Sequence, residues 1–197
     1  MLADITWRPG IGDRNPLAWC ITTVVYFVAC WLCLSAGRSN RAAPRNCGES
    51  RLGWLWSVFA GMMFLLGVNK QLDLQTLLTQ CGREMARQGG WYEQRRDVQK
   101  AFICGCAVFC IVCATVGIVT LRAHWRQFGV AYLGIVGLIT FIVIRAASLH
   151  HVDVLLYRLS QVGNWMNFGL ELGGTLLVAF GAFLATRHTS SRDASLR

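Results

Sequence analysis

Long runs of residues without a charged side chain restrict how this chain can fold. Five such runs cover residues 17–36, 52–68, 101–121, 127–144 and 159–186, and only Glu171 interrupts the last one. Each run is close to the length of about 20 residues that a helix needs to cross roughly 30 Å of hydrocarbon. Hydrophobic residues make up 54% of the chain and charged residues only 15%. The sequence therefore predicts a membrane protein and excludes an ordinary soluble domain.

The predicted fold class is all-α, a polytopic transmembrane helix bundle with five spans. The spans are predicted at about residues 17–36, 52–70, 101–122, 127–148 and 161–186. Together they form a single transmembrane domain over residues 1–186. The remaining residues, 187–197, are polar, and we expect a disordered tail.

Helix 2 is predicted to continue beyond its membrane span. Apolar side chains recur at helical spacing between Leu74 and Met85, and Gly89 and Gly90 follow as a terminator. This pattern predicts an amphipathic extension of helix 2 at the membrane boundary.

The net charge of +9 comes mainly from arginines that lie at predicted helix ends and in loops. Positive residues in these positions flank membrane spans and contact anionic lipid head groups. No basic stretch alternates with aromatic residues as a nucleic-acid surface would, so we expect no nucleic-acid partner. Lysine and arginine are nearly equally divided between the two predicted faces, which favours neither orientation of the bundle.

Nine cysteines are present, and most of them lie inside predicted spans. In such positions cysteine usually packs as a small hydrophobic residue. The stretch "CWLC" at residues 30–33 has the spacing of a redox-active dithiol, so a redox role stays open as an alternative.

Polar residues gather at three predicted helix ends that alternate in direction and therefore lie at one membrane boundary. They are Asn69, Lys70, Gln71, Asp73 and Gln75 after helix 2; Arg145, Ser148, His150, His151 and Asp153 after helix 4; and Asn164, Asn167 and Glu171 in helix 5. Each set contains members three or four residues apart, which can share one helix face: Asn69 and Asp73; His150 and Asp153; and Asn164, Asn167 and Glu171. The sequence thus predicts a polar pocket formed by helices 2, 4 and 5.

Glu171 stands well inside the fifth run, between "FGL" and "LGG". A carboxylate at that depth costs several kcal/mol unless it is paired, protonated or bound to a cation. Its expected partner is Lys70, Arg145 or a histidine. Gly169 and Gly173 flank Glu171 with G-x-x-x-G spacing, which allows another helix to approach closely there.

Two chemistries suit these residues. His150, His151 and Asp153 are predicted ligands of a divalent metal such as zinc, whose bound water would make the protein a hydrolase. Asp73 and Glu171 are the predicted catalytic acid or base groups, with or without the metal.

Substrate binding is predicted at a further set of polar side chains. Lys70 and Arg145 would hold an anionic group, and Asn69, Gln71 and Asn167 would complete the binding surface. The leading hypothesis is a membrane-embedded enzyme acting on a lipid or another amphipathic substrate.

A non-enzymatic function is the alternative. In it the same polar residues form satisfied interhelical networks, and the protein is an accessory or structural subunit of a larger membrane complex. Haem binding is less favoured, because His124 and His188 lie at the boundary opposite to His150 and His151.

The stretches "NKQLDLQ", "GWYEQRR" and "RAASLHHVD" resemble a group of small, uncharacterised bacterial multi-pass membrane proteins, over about residues 55–155. The resemblance implies a location in the bacterial inner membrane. In chemistry alone, the Asp and His set is similar to that of the integral-membrane hydrolases related to alkaline ceramidases, which gather such residues around zinc. Those enzymes have seven spans and a different motif order, so this likeness implies no individual ligand.

Overall fold

The computed structural model describes residues 16–42, 53–72, 80–81, 85, 88, 95–147 and 160–195. Its helices are α1 (Pro16–Ala42), α2 (Gly53–Leu72), α3 (Arg95–Leu121), α4 (Trp125–Ala147) and α5 (Ser160–Ser195). A single 3-10 turn, Arg122–His124, joins α3 to α4. The prediction of an all-α protein is confirmed.

Three stretches of the described chain are long and apolar enough to cross a membrane: Pro16–Arg41, Cys104–Val143 and Asn167–Arg187. The second stretch has 40 residues and runs through the 3-10 turn, so it includes parts of both α3 and α4. The prediction of helices long and apolar enough to cross a membrane is therefore confirmed. The count of five spans is not supported by length and hydropathy alone.

The outer surface of the bundle is apolar. Leu17, Leu65 and Phe109 expose 72%, 66% and 68% of their surface. A soluble protein rarely exposes so many large apolar side chains in contiguous patches. Contact with lipid acyl chains accounts for this surface.

An aromatic cluster holds α2 against α4 in the core. Trp56 and Phe128 are fully buried, and their ring centroids lie 5.1 Å apart. Phe59 meets the Trp56 ring edge to face at 5.6 Å. Such aromatic contacts add about 0.5–1.5 kcal/mol to the free energy gained from burial.

Glycines allow α4 and α5 to cross closely. A Cβ atom added at Gly134 would lie 2.7 Å from the carbonyl oxygen of Gly174, and one added at Gly181 would lie 2.5 Å from the backbone nitrogen of Ala131. Lipid solvates apolar side chains as well as another helix does, so close backbone packing is a main source of helix association in membranes.

The close approach that Gly169 and Gly173 would allow is not used by the described residues. Among the described residues, no heavy atom lies within 4 Å of the Cβ position at either glycine. The contact with α4 falls instead on the next glycine, Gly174, which is buried. A shift of one residue turns the contact by about 100° around the helix, so G-x-x-x-G spacing alone did not identify the face.

Helix α3 is attached to α4 through Tyr132. The Tyr132 hydroxyl donates a hydrogen bond to the carbonyl oxygen of Ala114 at 2.7 Å. Gly117 lies directly beneath the phenol ring, and a Cβ there would overlap with the hydroxyl. The two helices form the antiparallel hairpin that the short link between them predicts.

Helix α5 extends into the predicted tail. Residues 187–195 belong to α5 and are helical, so the prediction of a disordered tail is wrong over that stretch. The tail contains neither glycine nor proline, and nothing in its sequence ends the helix.

The predicted amphipathic extension of helix 2 lies mostly outside the described residues.

We expect Gly134→Ala to destabilise the bundle by about 1–3 kcal/mol, because its Cβ would meet backbone atoms of α5 that cannot rotate away. Gly137→Ala is the matched control, since no described heavy atom lies within 4 Å of that Cβ position. Thermal unfolding in detergent measures both variants. Equal melting temperatures for the two variants would contradict the close crossing.

Candidate functional site

A buried carboxylate joins three helices. Glu171 of α5 is 8% exposed. Its Oε2 atom lies 2.9 Å from Nζ of Lys70, near the end of α2. Its Oε1 atom accepts a hydrogen bond of 3.2 Å from the Tyr26 hydroxyl of α1. We call these three residues the Tyr26–Glu171–Lys70 network.

Helix direction places the three residues at the same depth. Tyr26 lies in the first half of α1, Lys70 in the last turn of α2 and Glu171 in the first half of α5. The indole Nε1 of Trp19 also donates to the carbonyl oxygen of Lys70 at 3.2 Å. This bond anchors the last turn of α2 to α1 and so positions the Lys70 side chain.

The network reduces the cost of a charge at this depth. Moving a carboxylate out of water costs several kcal/mol, and a nearby ammonium group with good geometry recovers much of that free energy. The side chains of Lys70 and Glu171 keep 12% and 10% exposure. The ion pair is therefore nearly enclosed, with a small opening.

Hydroxyl groups of α1 and α5 surround the network. Thr22 donates to the carbonyl oxygen of Ala18 at 2.7 Å, and Thr175 donates to that of Glu171 at 2.8 Å. Both threonines are fully buried. Such bonds within a helix satisfy hydroxyls that face neighbouring helices. The α1–α5 interface is thus partly polar at this end of the bundle.

The structure brings together two of the predicted site residues. The expected pairing of Glu171 with Lys70 is confirmed. Asn69 and Gln71 lie beside Lys70 and are half-buried, as is Asn167, one helical turn before Glu171. The catalytic and substrate-binding roles of these residues stay predictions.

The predicted metal ligands His150, His151 and Asp153 lie outside the described residues, as does Asp73. Arg145 is in the last turn of α4, but its side chain is also outside the described part. Within the described part of the chain, no group of three or more His, Cys, Asp or Glu side chains is arranged to hold a metal ion. A zinc site around the two histidines therefore stays a prediction.

The dithiol alternative concerns two residues of α1. Cys33 is fully buried in the core, Cys30 is half-buried, and both are free thiols. Cys33 packs as a small hydrophobic residue does. Redox activity at "CWLC" stays untested.

Sequence reasoning missed the contribution of α1. Trp19, Thr22, Thr23 and Tyr26 follow the i, i+3, i+4, i+7 pattern of one helix face. These side chains can form hydrogen bonds but carry no charge. A search for charged residues therefore finds only an apolar run between residues 17 and 36. The described network joins α1, α2 and α5. The part that helix 4 would contribute to the predicted pocket lies outside the described residues and stays a prediction.

Comparisons with protein-family models, with characterised proteins and with solved structures found no match for this chain. The resemblances described above therefore stay predictions, and function is inferred from geometry and chemistry.

We expect Glu171→Gln to destabilise the protein by about 3 kcal/mol, because the Lys70 ammonium group would lose its counter-charge in a nearly enclosed site. The double variant Lys70→Met, Glu171→Gln should be more stable than either Glu171→Gln or Lys70→Met alone, since no unpaired charge remains. Thermal unfolding of the four proteins forms a double-mutant cycle. Additive effects would show that the two side chains do not interact.

Proposed function

We propose that this chain is a five-span protein of the bacterial inner membrane and a non-enzymatic, structural or accessory subunit of a larger membrane complex. The observation that carries the proposal is the Tyr26–Glu171–Lys70 network. Both oxygens of the buried carboxylate accept hydrogen bonds from other helices. The carboxylate therefore links α1, α2 and α5 in a fixed arrangement, as a scaffolding subunit requires.

Packing supports five spans. Helix α2 lies along α1 from the Trp19–Lys70 bond at one end to a 2.8 Å bond between Arg41 and Ser57 at the other. Helix α4 lies along α5 in the same way, through the glycine contacts. If α1 and α5 cross the membrane, the helices packed along them cross it too, and α3 completes the hairpin with α4.

Five spans require the two ends of the chain to lie on opposite sides of the membrane. We expect a reporter that is active only in the periplasm to give opposite results when fused after residue 15 and after residue 197. A fusion after His124, in the 3-10 turn, should match the C-terminal one. The same result at both ends would contradict an odd number of spans.

A membrane-embedded enzyme is the second candidate function. The side-chain exposure of 12% at Lys70 and 10% at Glu171 favours it, because a small opening reaches the ion pair. Asn69, Gln71 and Asn167 lie close to it in sequence and are half-buried. On this hypothesis a lipid or another amphipathic substrate would bind at the opening, and His150, His151 and Asp153 would hold a divalent metal such as zinc.

Metal content separates the two functions. We expect the detergent-purified protein to contain no stoichiometric transition metal, as measured by mass spectrometry. The matched control is the His150→Ala, His151→Ala double variant, which should then have the same metal content and stability as the wild type. Near-stoichiometric zinc that is lost in the double variant would contradict the accessory role and support the hydrolase.

A further inference from the structure

Buried hydrogen-bond donors without partners lie at the end of the bundle opposite to Glu171. Asn40, near the end of α1, is 4% exposed, and Trp56, near the start of α2, is fully buried. In the described part of the chain, the Asn40 Nδ2 and Trp56 Nε1 atoms have no hydrogen-bond partner. Leaving such a donor unsatisfied costs about 1–3 kcal/mol.

Both side chains start from the crossing of α1 and α2. The Cβ atom of Asn40 lies 3.7 Å from the Cβ position at Gly53, and the Cβ atom of Trp56 lies 3.2 Å from that at Gly37. The Cγ atom of Arg41 is 3.5 Å from the Gly53 position. An amide, an indole and a guanidinium group therefore begin at one interhelical crossing.

Positive charge collects at the end of the bundle where this crossing lies. Arginines with exposed side chains lie at the end of α1, around the 3-10 turn and in the part of α5 that reaches this boundary: Arg38, Arg41, Arg122, Arg126 and Arg187. Glu171 is the one acidic residue whose side chain the structure describes, and it lies at the other end of the bundle. The described side chains thus give this boundary a positive charge without a matching negative one.

We propose that this crossing is a binding site for a phosphate group, supplied by the head group of an anionic phospholipid. The indole N–H is a donor only, and the free Asn40 atom is also a donor, so the missing ligand must accept hydrogen bonds. Phosphate oxygens accept several such bonds, and arginine complements their charge and geometry. Basic pockets between membrane helices at a boundary are in reach of lipid head groups.

The start of α4 supplies an acceptor near Trp56 that has no partner among the described residues. The Trp56 and Phe128 rings are 5.1 Å apart, which places this segment next to the donors. Gln127, beside Phe128, has a buried Oε1 atom with no partner in the described chain. This acceptor suits a hydroxyl donor, which the glycerol of a phosphatidylglycerol head group supplies.

Native mass spectrometry of the delipidated, full-length protein tests the site. We expect phosphatidylglycerol to bind more tightly than phosphatidylcholine of the same acyl chains. Trp56→Phe keeps an aromatic ring but removes the N–H donor, and it should weaken phosphatidylglycerol binding roughly tenfold. Asn40→Ala should weaken it to a similar extent.

The matched control is Trp54→Phe, two residues away on α2, where the side chain is 58% exposed. It should bind phosphatidylglycerol as the wild type does. Melting temperatures without lipid separate lost binding from lost folding. Equal affinity for the two lipids, or equal losses in Trp54→Phe and Trp56→Phe, would overturn the proposal. Inorganic phosphate that raises the melting temperature as much as phosphatidylglycerol would overturn the lipid assignment.

Discussion

The arrangement of α1, α2 and α5 depends on the need to neutralise one carboxylate inside an otherwise apolar helix. An ionised Glu171 is costly in a low-dielectric environment unless another group compensates its charge. Lys70 supplies the counter-charge from α2, and Tyr26 supplies a donor from α1. The interaction is directional, so it restricts the rotation and the depth of all three helices together.

Contacts between backbones provide the association that this ion pair does not. Where α4 meets α5, glycines let the two helices approach until the Cβ position of Gly134 is 2.7 Å from a carbonyl oxygen. Close packing of this kind increases dispersion contacts, which act in lipid as well as in water. The bundle therefore has two complementary sources of stability. The ion pair selects which faces meet, and the small residues determine how closely they meet.

Physical cost explains which features were predictable from sequence. The all-α class follows from the apolar runs, and the need for a partner follows from the depth of the Glu171 carboxylate. The sequence left that partner open among Lys70, Arg145 and a histidine, and the structure selects Lys70. Tyr26 was missed because a phenol inside an apolar run is nearly as well tolerated as a phenylalanine. Its role depends on rotation about α1, and nothing in a single sequence gives that rotation.

The close glycines were not predictable for a related reason. Gly173 and Gly174 are adjacent in sequence, yet only Gly174 has a described heavy atom within 4 Å of its Cβ position. A helix with many small residues offers several faces that a neighbour could approach. Which face is used depends on the packing of all the helices at once, including the constraint that Lys70 and Tyr26 place on α5.

The two ends of the bundle differ in whether the chain itself supplies partners for its charged and donor groups. Around Glu171 the described charges are matched within the chain, since an acid, a base and a hydroxyl donor meet at hydrogen-bond distance. At the crossing of Gly37 and Gly53, the buried donors Asn40 Nδ2 and Trp56 Nε1 have no partner among the described residues. A chain that neutralises its deepest charge internally but leaves donors unmatched at the opposite boundary requires acceptors from its surroundings there. In a membrane, head groups are the nearest abundant source.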